Sequence, residues 1–130
     1  MRAIIYARGR CLSSSKVDGE ELLLTELQVD RCRVVAFAHG LEVAAAFRDH
    51  GESANNSERP GLRAMLDQID SGEITTDFVI VTSFDRLSRT TNQMAALIAR
   101  LHRLNIEVLA AGDEELLNQI MENRDGASVS

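Results

Sequence analysis

Apolar and polar positions alternate between two patterns along this chain. Short apolar runs rich in β-branched residues, as a buried strand requires, occur at residues 2–7, with Ile4, Ile5 and Tyr6, and again at 41–47, 78–81 and 106–110. Segments with helical spacing lie between them. Over residues 20–39, Leu23, Leu24, Leu27, Val34, Val35 and Phe37 are predicted to fall mostly on one helical face, and Gly40 supplies a stop. Pro60 suits the first turn of a second helix, which carries Leu62, Met65, Leu66 and Ile69 and ends at Ser71-Gly72. A third helix spans 90–104, with Met94, Leu97, Ile98 and Leu101. Strand and helix thus alternate as far as residue 110, which predicts an α/β fold whose four- to five-stranded, mainly parallel sheet is flanked by helices. Residues 114–122 suit one more short helix, and 123–130 are expected to fray. The whole of 1–130 reads as a single domain.

In an open parallel sheet, ligands bind outside the carboxyl ends of the strands, so the segments after the first three strands are where chemistry is expected. The first holds Arg8, Arg10 and the run Ser13, Ser14, Ser15. The second runs polar from Arg48 to Glu58, includes Asp49 and Ser53, and leads to Arg59. The third reads Ser83-Phe84-Asp85-Arg86-Leu87-Ser88-Arg89. Five arginines are therefore expected to converge on one end of the sheet. Arg86 and Arg89 would share a face of any helix there and could bind one anion together. The alternative is that these arginines pair with Asp49 and Asp85 and merely pin loops.

Composition narrows this picture. The formal net charge is −6, and it is uneven: residues 1–48 sum to +1 and 49–130 to −7. A surface of that sign does not grip nucleic acid as a whole, so any phosphate site must be local. All but one of the 14 basic residues are arginine, Lys16 being the exception, and arginine offers a rigid fork matched to phosphate oxygens. Cys11 and Cys32 are too few for a disulfide framework and lack zinc-site spacing. Cys32 is expected in the core, and His39, His50 and His102 stand singly. The apolar runs fall far short of the ~20 residues that span a bilayer, and the start of the chain does not read as a signal peptide, so a cytoplasmic location is expected. A glycine-rich phosphate cradle is absent, which weakens a reading as a small phosphate-ligand-binding α/β domain.

Tyr6-Ala7-Arg8, Gln28, Asp49 with Gly51 and Ser53, Arg59-Pro60-Gly61-Leu62 and Asp85-Arg86-Leu87-Ser88-Arg89 together resemble the catalytic domain of the serine recombinases, the resolvase/invertase family, in order over residues 2 to about 111. The resemblance implies a three-layer domain and a DNA strand-exchange reaction through a phosphoserine link, without metal or cofactor. It matches Arg8, Arg59, Arg86 and Arg89 to the phosphate-binding catalytic arginines, and Asp85 and Asp49 to the family's acidic residues. It also implies DNA as a partner, and pairing with a second copy or with another recombinase. The family's Tyr-x-Arg-Val-Ser pattern departs here: Gly9 and Arg10 stand where valine and the nucleophilic serine are expected. A guanidinium stays protonated and cannot attack phosphorus. Cleavage deficiency is therefore expected, with Ser13 as a possible substitute nucleophile and a non-catalytic regulatory or interaction module as the alternative. The family's DNA-binding region has no counterpart before Ser130. Residues 110–130 read as a truncated or degenerate end of the domain, either in a fragment of a longer protein or in a stand-alone domain whose small-residue ending is a natural terminus.

Overall fold

The computed structural model describes residues 1–8, 19–49, 60–82 and 91–112. The elements are β1 (Arg2–Arg8), α1 (Gly19–Ala38), β2 (Glu42–Asp49), α2 (Pro60–Ser71), β3 (Phe78–Val81), α3 (Thr91–Arg103) and β4 (Glu107–Ala110). The four strands form one parallel sheet in the order β2-β1-β3-β4. Helix α1 covers one face while α2 and α3 cover the other, which is the three-layer α/β arrangement expected. The expected short helix at 114–122 lies outside the described residues.

Strand alternation divides the side chains of β1 between the two faces. Ala3, Ile5 and Ala7 pack with Phe78, Ile80 and Leu109 under Val29, Cys32 and Ala36 of α1. Ile4 and Tyr6 pack with Val79, Val81 and Val108 against Met65 of α2 and Leu101 of α3. β1 and β3 are buried on both faces, which is why they read as unbroken apolar runs. Across the second layer, Arg100 of α3 pairs with Asp70 of α2. Gly40 and Gly72 close α1 and α2 at φ values of 69° and 81°, where a side chain would be strained.

Two expectations change. β2 extends through Arg48 and Asp49, which the sequence reading placed in the following loop. Parallel pairing with β1 holds them in the ladder, Ala7 opposite Arg48 and Arg8 opposite Asp49. The face of α1 also differs: Thr25, Val29, Cys32 and Ala36 meet the sheet, whereas Leu27, Val34 and Phe37 are exposed. The sheet beneath supplies the bulk of that layer through Ile5, Phe78, Ile80 and Leu109, and the smaller Val29, Cys32 and Ala36 of the helix pack over it.

Among the described residues no helix is long and apolar enough to cross a membrane. Cys32 lies in the core as expected, and burial pushes its thiol up to about 12, with Arg31 acting weakly in the opposite sense. Because this value lies above the thiol's ordinary 9.0, the associated stability is present below pH 9 and is lost as pH rises toward 12. Alkylation at pH 8 with peptide mapping is expected to spare Cys32 in the folded protein and to label it in urea. Met65→Ala, which empties the centre of the second layer, is expected to cost about 2–5 kcal/mol in urea unfolding.

Candidate functional site

All four strands run the same way, so their carboxyl ends share one edge of the sheet. The chain leaves β1 toward β2 on one side and β3 leads to β4 on the other. The topological switch point therefore lies between β1 and β3, where ligands of such sheets bind. Arg8 and Val81 end the two strands that flank it. The segments carrying Arg10 and Ser13, and Asp85, Arg86 and Arg89, start from these adjacent ends. Arg10, Ser13, Arg59, Asp85, Arg86 and Arg89 themselves lie outside the described residues.

Arg8 and Asp49, the two predicted site residues within the described set, are register partners at the ends of β1 and β2. Both are buried. By alternation from Ile4 and Tyr6, Arg8 belongs to the face covered by α2. Its backbone is held from the opposite side by Gln28 of α1. The Arg8 N–H donates to Oε1 of Gln28 at 3.2 Å, and Nε2 of Gln28 donates to the Arg8 carbonyl at 2.9 Å. This two-point amide clamp fixes the last residue of β1 between helix and sheet. Beside it, Arg48 pairs with Glu26 of α1 and so ties the end of β2 to the same helix.

A β-bulge brings Asp49 into place. Ala3 pairs with Val43 but Ile4 pairs with Ala45, so Ala44 is the extra residue. Val43 faces α1, and strict alternation from it would put Phe47 and Asp49 on that side as well. The bulge changes the parity, so Phe47 packs in the α2 layer instead. Asp49 follows Phe47 to the same side, where the Tyr6 hydroxyl donates to its Oδ2 at 2.6 Å.

The carboxylate then caps α2 across a gap in sequence. The N–H of Gly61 donates to Oδ1 at 2.7 Å and that of Leu62 to Oδ2 at 3.1 Å. Pro60 stands at the first helical position, where a missing N–H costs nothing, so the carboxylate takes the next two donors. The partial positive charge of the helix start favours an anion there. Gly61 is required by proximity: a Cβ on it would overlap the backbone carbonyl of Arg48. β3 and β4 are drawn together similarly beyond their ends, where the Gly112 N–H donates to the Thr82 carbonyl at 2.9 Å.

This arrangement corrects one expectation and supplies what another lacked. Asp49 was expected in the loop after the second strand; it is instead a buried strand-end residue that accepts three hydrogen bonds from Tyr6, Gly61 and Leu62. Tyr6 was expected as an apolar strand residue and part of a motif, and Gly61 only as part of a motif. A tyrosine inside an apolar strand is itself a signal, because a buried hydroxyl needs a partner. Among the described residues no group of three His, Cys, Asp or Glu is placed to hold a metal ion.

Comparison with known proteins agrees with this frame. The sequence matches the family described as "Resolvase, N terminal domain" over residues 3–126. The fold is similar to the N-terminal catalytic domain of TP901-1 integrase, at 22% identity and a TM-score of 0.69, covering 98% of this chain and 96% of that one. A resolvase family site-specific recombinase from Streptococcus pneumoniae is similar at 17% identity and a TM-score of 0.70, covering 98% and 87%. The C-terminal catalytic domain of ISC1926 TnpA, an IS607-like serine recombinase, is similar at 23% identity and a TM-score of 0.69, covering 92% and 77%. No curated protein matches the sequence.

The three donors to Asp49 make a graded prediction. Tyr6→Phe removes one charge-assisted hydrogen bond and is expected to cost about 1.5–3 kcal/mol. Gly61→Ala is expected to cost more, because α2 must move off β2 and loses both backbone bonds. Urea unfolding of the two variants beside the parent checks the order; an unchanged midpoint for Gly61→Ala would show that α2 is not anchored in this way.

Proposed function

Because the chain belongs to the resolvase N-terminal domain family, we propose that it is a serine-recombinase domain that holds a DNA phosphodiester at the carboxyl edge of its sheet without cutting it. The observation that supports this reading is the retained edge: Arg8 is clamped by Gln28 and stands in register with an Asp49 that anchors α2. Two residues beyond Arg8, however, the chain carries Arg10.

In this reading Arg8, Arg59, Arg86 and Arg89 are the cations around the phosphate, each offering a fork that matches two of its oxygens. Asp85 is their acidic partner. Asp49 is not a phosphate contact, since its oxygens already accept three hydrogen bonds and a second anion beside it would be repelled. Its work is to hold the start of α2, and hence the backbone next to Arg59, against the end of β2. Cleavage requires a serine Oγ to bond to phosphorus while the bond from phosphorus to the 3′ oxygen breaks and that oxygen takes a proton. A guanidinium offers no such oxygen. Ser13 is three residues beyond Arg10, roughly 10 Å along an extended chain, and in-line attack does not tolerate displacement of even about 1 Å without large losses in rate.

The test is incubation with supercoiled DNA, quenching with denaturant, and a search for protein-linked DNA, beside salt-dependent binding to the same DNA. Binding that weakens with salt, without a covalent adduct, is the expected result. An adduct mapped to Ser13, Ser14 or Ser15 would replace this reading with a relocated nucleophile. Absence of DNA binding at low salt would leave the interaction-module reading in its place.

A further inference from the structure

Arg48 is an arginine at the carboxyl edge that the phosphate site described above leaves unused. It stands near the end of β2, opposite Ala7 in register and one residue short of the pair formed by Arg8 and Asp49. Its side chain meets α1, whereas Arg8 belongs to the α2 face, so two adjacent strand ends carry one arginine on each side of the sheet. Arg100 and Asp70, by contrast, pair toward the far ends of α3 and α2, away from this edge.

The partner of Arg48 has the shape of the ligand expected nearby. Nε and Nη2 of Arg48 donate to the two separate oxygens of Glu26, Oε1 and Oε2, the second at 3.2 Å. One edge of the guanidinium fork is thus matched to a pair of anionic oxygens, and a phosphate presents the same pair to the same two donors. The contact from Nη1 to the Ala46 carbonyl is long, at 3.4 Å. The side chains of Arg48 and Glu26 are also 30% and 47% exposed. An ion pair so open to water is weak and screened by salt, so an incoming anion displaces the carboxylate at little cost. The neighbouring Asp49, buried and held by three donors, has no such freedom.

We propose that Arg48 is a further phosphate contact and that Glu26 is its built-in competitor: DNA at the carboxyl edge draws Arg48 from Glu26 to a phosphate next to the one held around Arg8. This inference rests on the reading of that edge as a DNA phosphate site. In the free protein Glu26 occupies the fork and adds a negative charge at the edge, which lowers the affinity for a polyanion of a chain already at −6. The exchange does not release β2, which stays paired with β1 and anchored to α2 through Asp49.

Fluorescence anisotropy of a short labelled DNA duplex, titrated with the full chain at several salt concentrations, tests this. Glu26→Gln keeps the shape of the side chain without its charge and is expected to bind about three- to tenfold more tightly than the parent. Arg48→Gln is expected to weaken binding and to lower the slope of log affinity against log salt by about 1. Asp30→Asn removes an exposed carboxylate from the same helix and sets the gain that net charge alone provides. The gain from Glu26→Gln is expected to exceed that level in the parent and to shrink to it in the Arg48→Gln background. Urea unfolding confirms that each variant is folded. A gain from Glu26→Gln no larger than that from Asp30→Asn, or one undiminished by Arg48→Gln, overturns the proposal. So does an unchanged salt slope in Arg48→Gln. If neither the parent nor Glu26→Gln binds the duplex at low salt, the DNA reading of the edge itself falls, and this inference with it.

Discussion

The carboxyl edge of this domain is organised around one buried carboxylate. Asp49 sits at 2% exposure, where an ionised group is tolerated only if its oxygens are satisfied. It finds three donors on two elements, the Tyr6 hydroxyl of β1 and the first free N–H groups of α2. Strand β2 is thereby joined to its neighbour in the sheet and to the helix that follows it. The gap of more than ten residues between Asp49 and Gly61 is closed at both ends by this contact, so the chain between them starts and finishes at fixed points. The same edge is held from the other layer by Gln28 on the Arg8 backbone and by Glu26 on Arg48.

The bulge at Ala44 is the condition for that contact. In a strand, side-chain direction follows from counting, and one extra residue reverses every later position. Upstream of the bulge β2 presents Val43 to α1; downstream it presents Phe47 to α2. Arg48 and Asp49, adjacent in sequence and opposite in charge, consequently serve opposite layers. Arg48 turns to Glu26 on α1 and Asp49 to the start of α2. Gly61 completes the fit, because the backbone of α2 approaches that of Arg48 more closely than any side chain would permit.

Helix α1 shows how packing geometry overrides apolar count. Its larger aliphatic and aromatic residues suggested the inner face, but the sheet beneath takes Thr25, Val29, Cys32 and Ala36. In that layer the large side chains come from the sheet, Ile5, Phe78, Ile80 and Leu109, and the helix contributes the smaller Val29, Cys32 and Ala36. The α2 and α3 layer is built differently, from Met65, Leu66, Leu97 and Leu101 around Tyr6, and there the apolar spacing did mark the buried face. Leu27, Val34 and Phe37 remain exposed as a result.

The sequence by itself determined the order of elements, the all but complete burial of β1 and β3, and the stops at Gly40 and Gly72, because these rest on local chain stiffness and on runs of apolar residues. It also carried the family resemblance. Only the tertiary structure decided where β2 ends, which face α1 buries, and what Asp49 does. A bulge leaves no mark in the order of residues; it arises when two strands of unequal count are matched at both ends. Likewise, a cap supplied across more than ten intervening residues cannot be read from the neighbours of the helix it caps. Both depend on two distant segments being brought together, and that is a property of the folded chain alone.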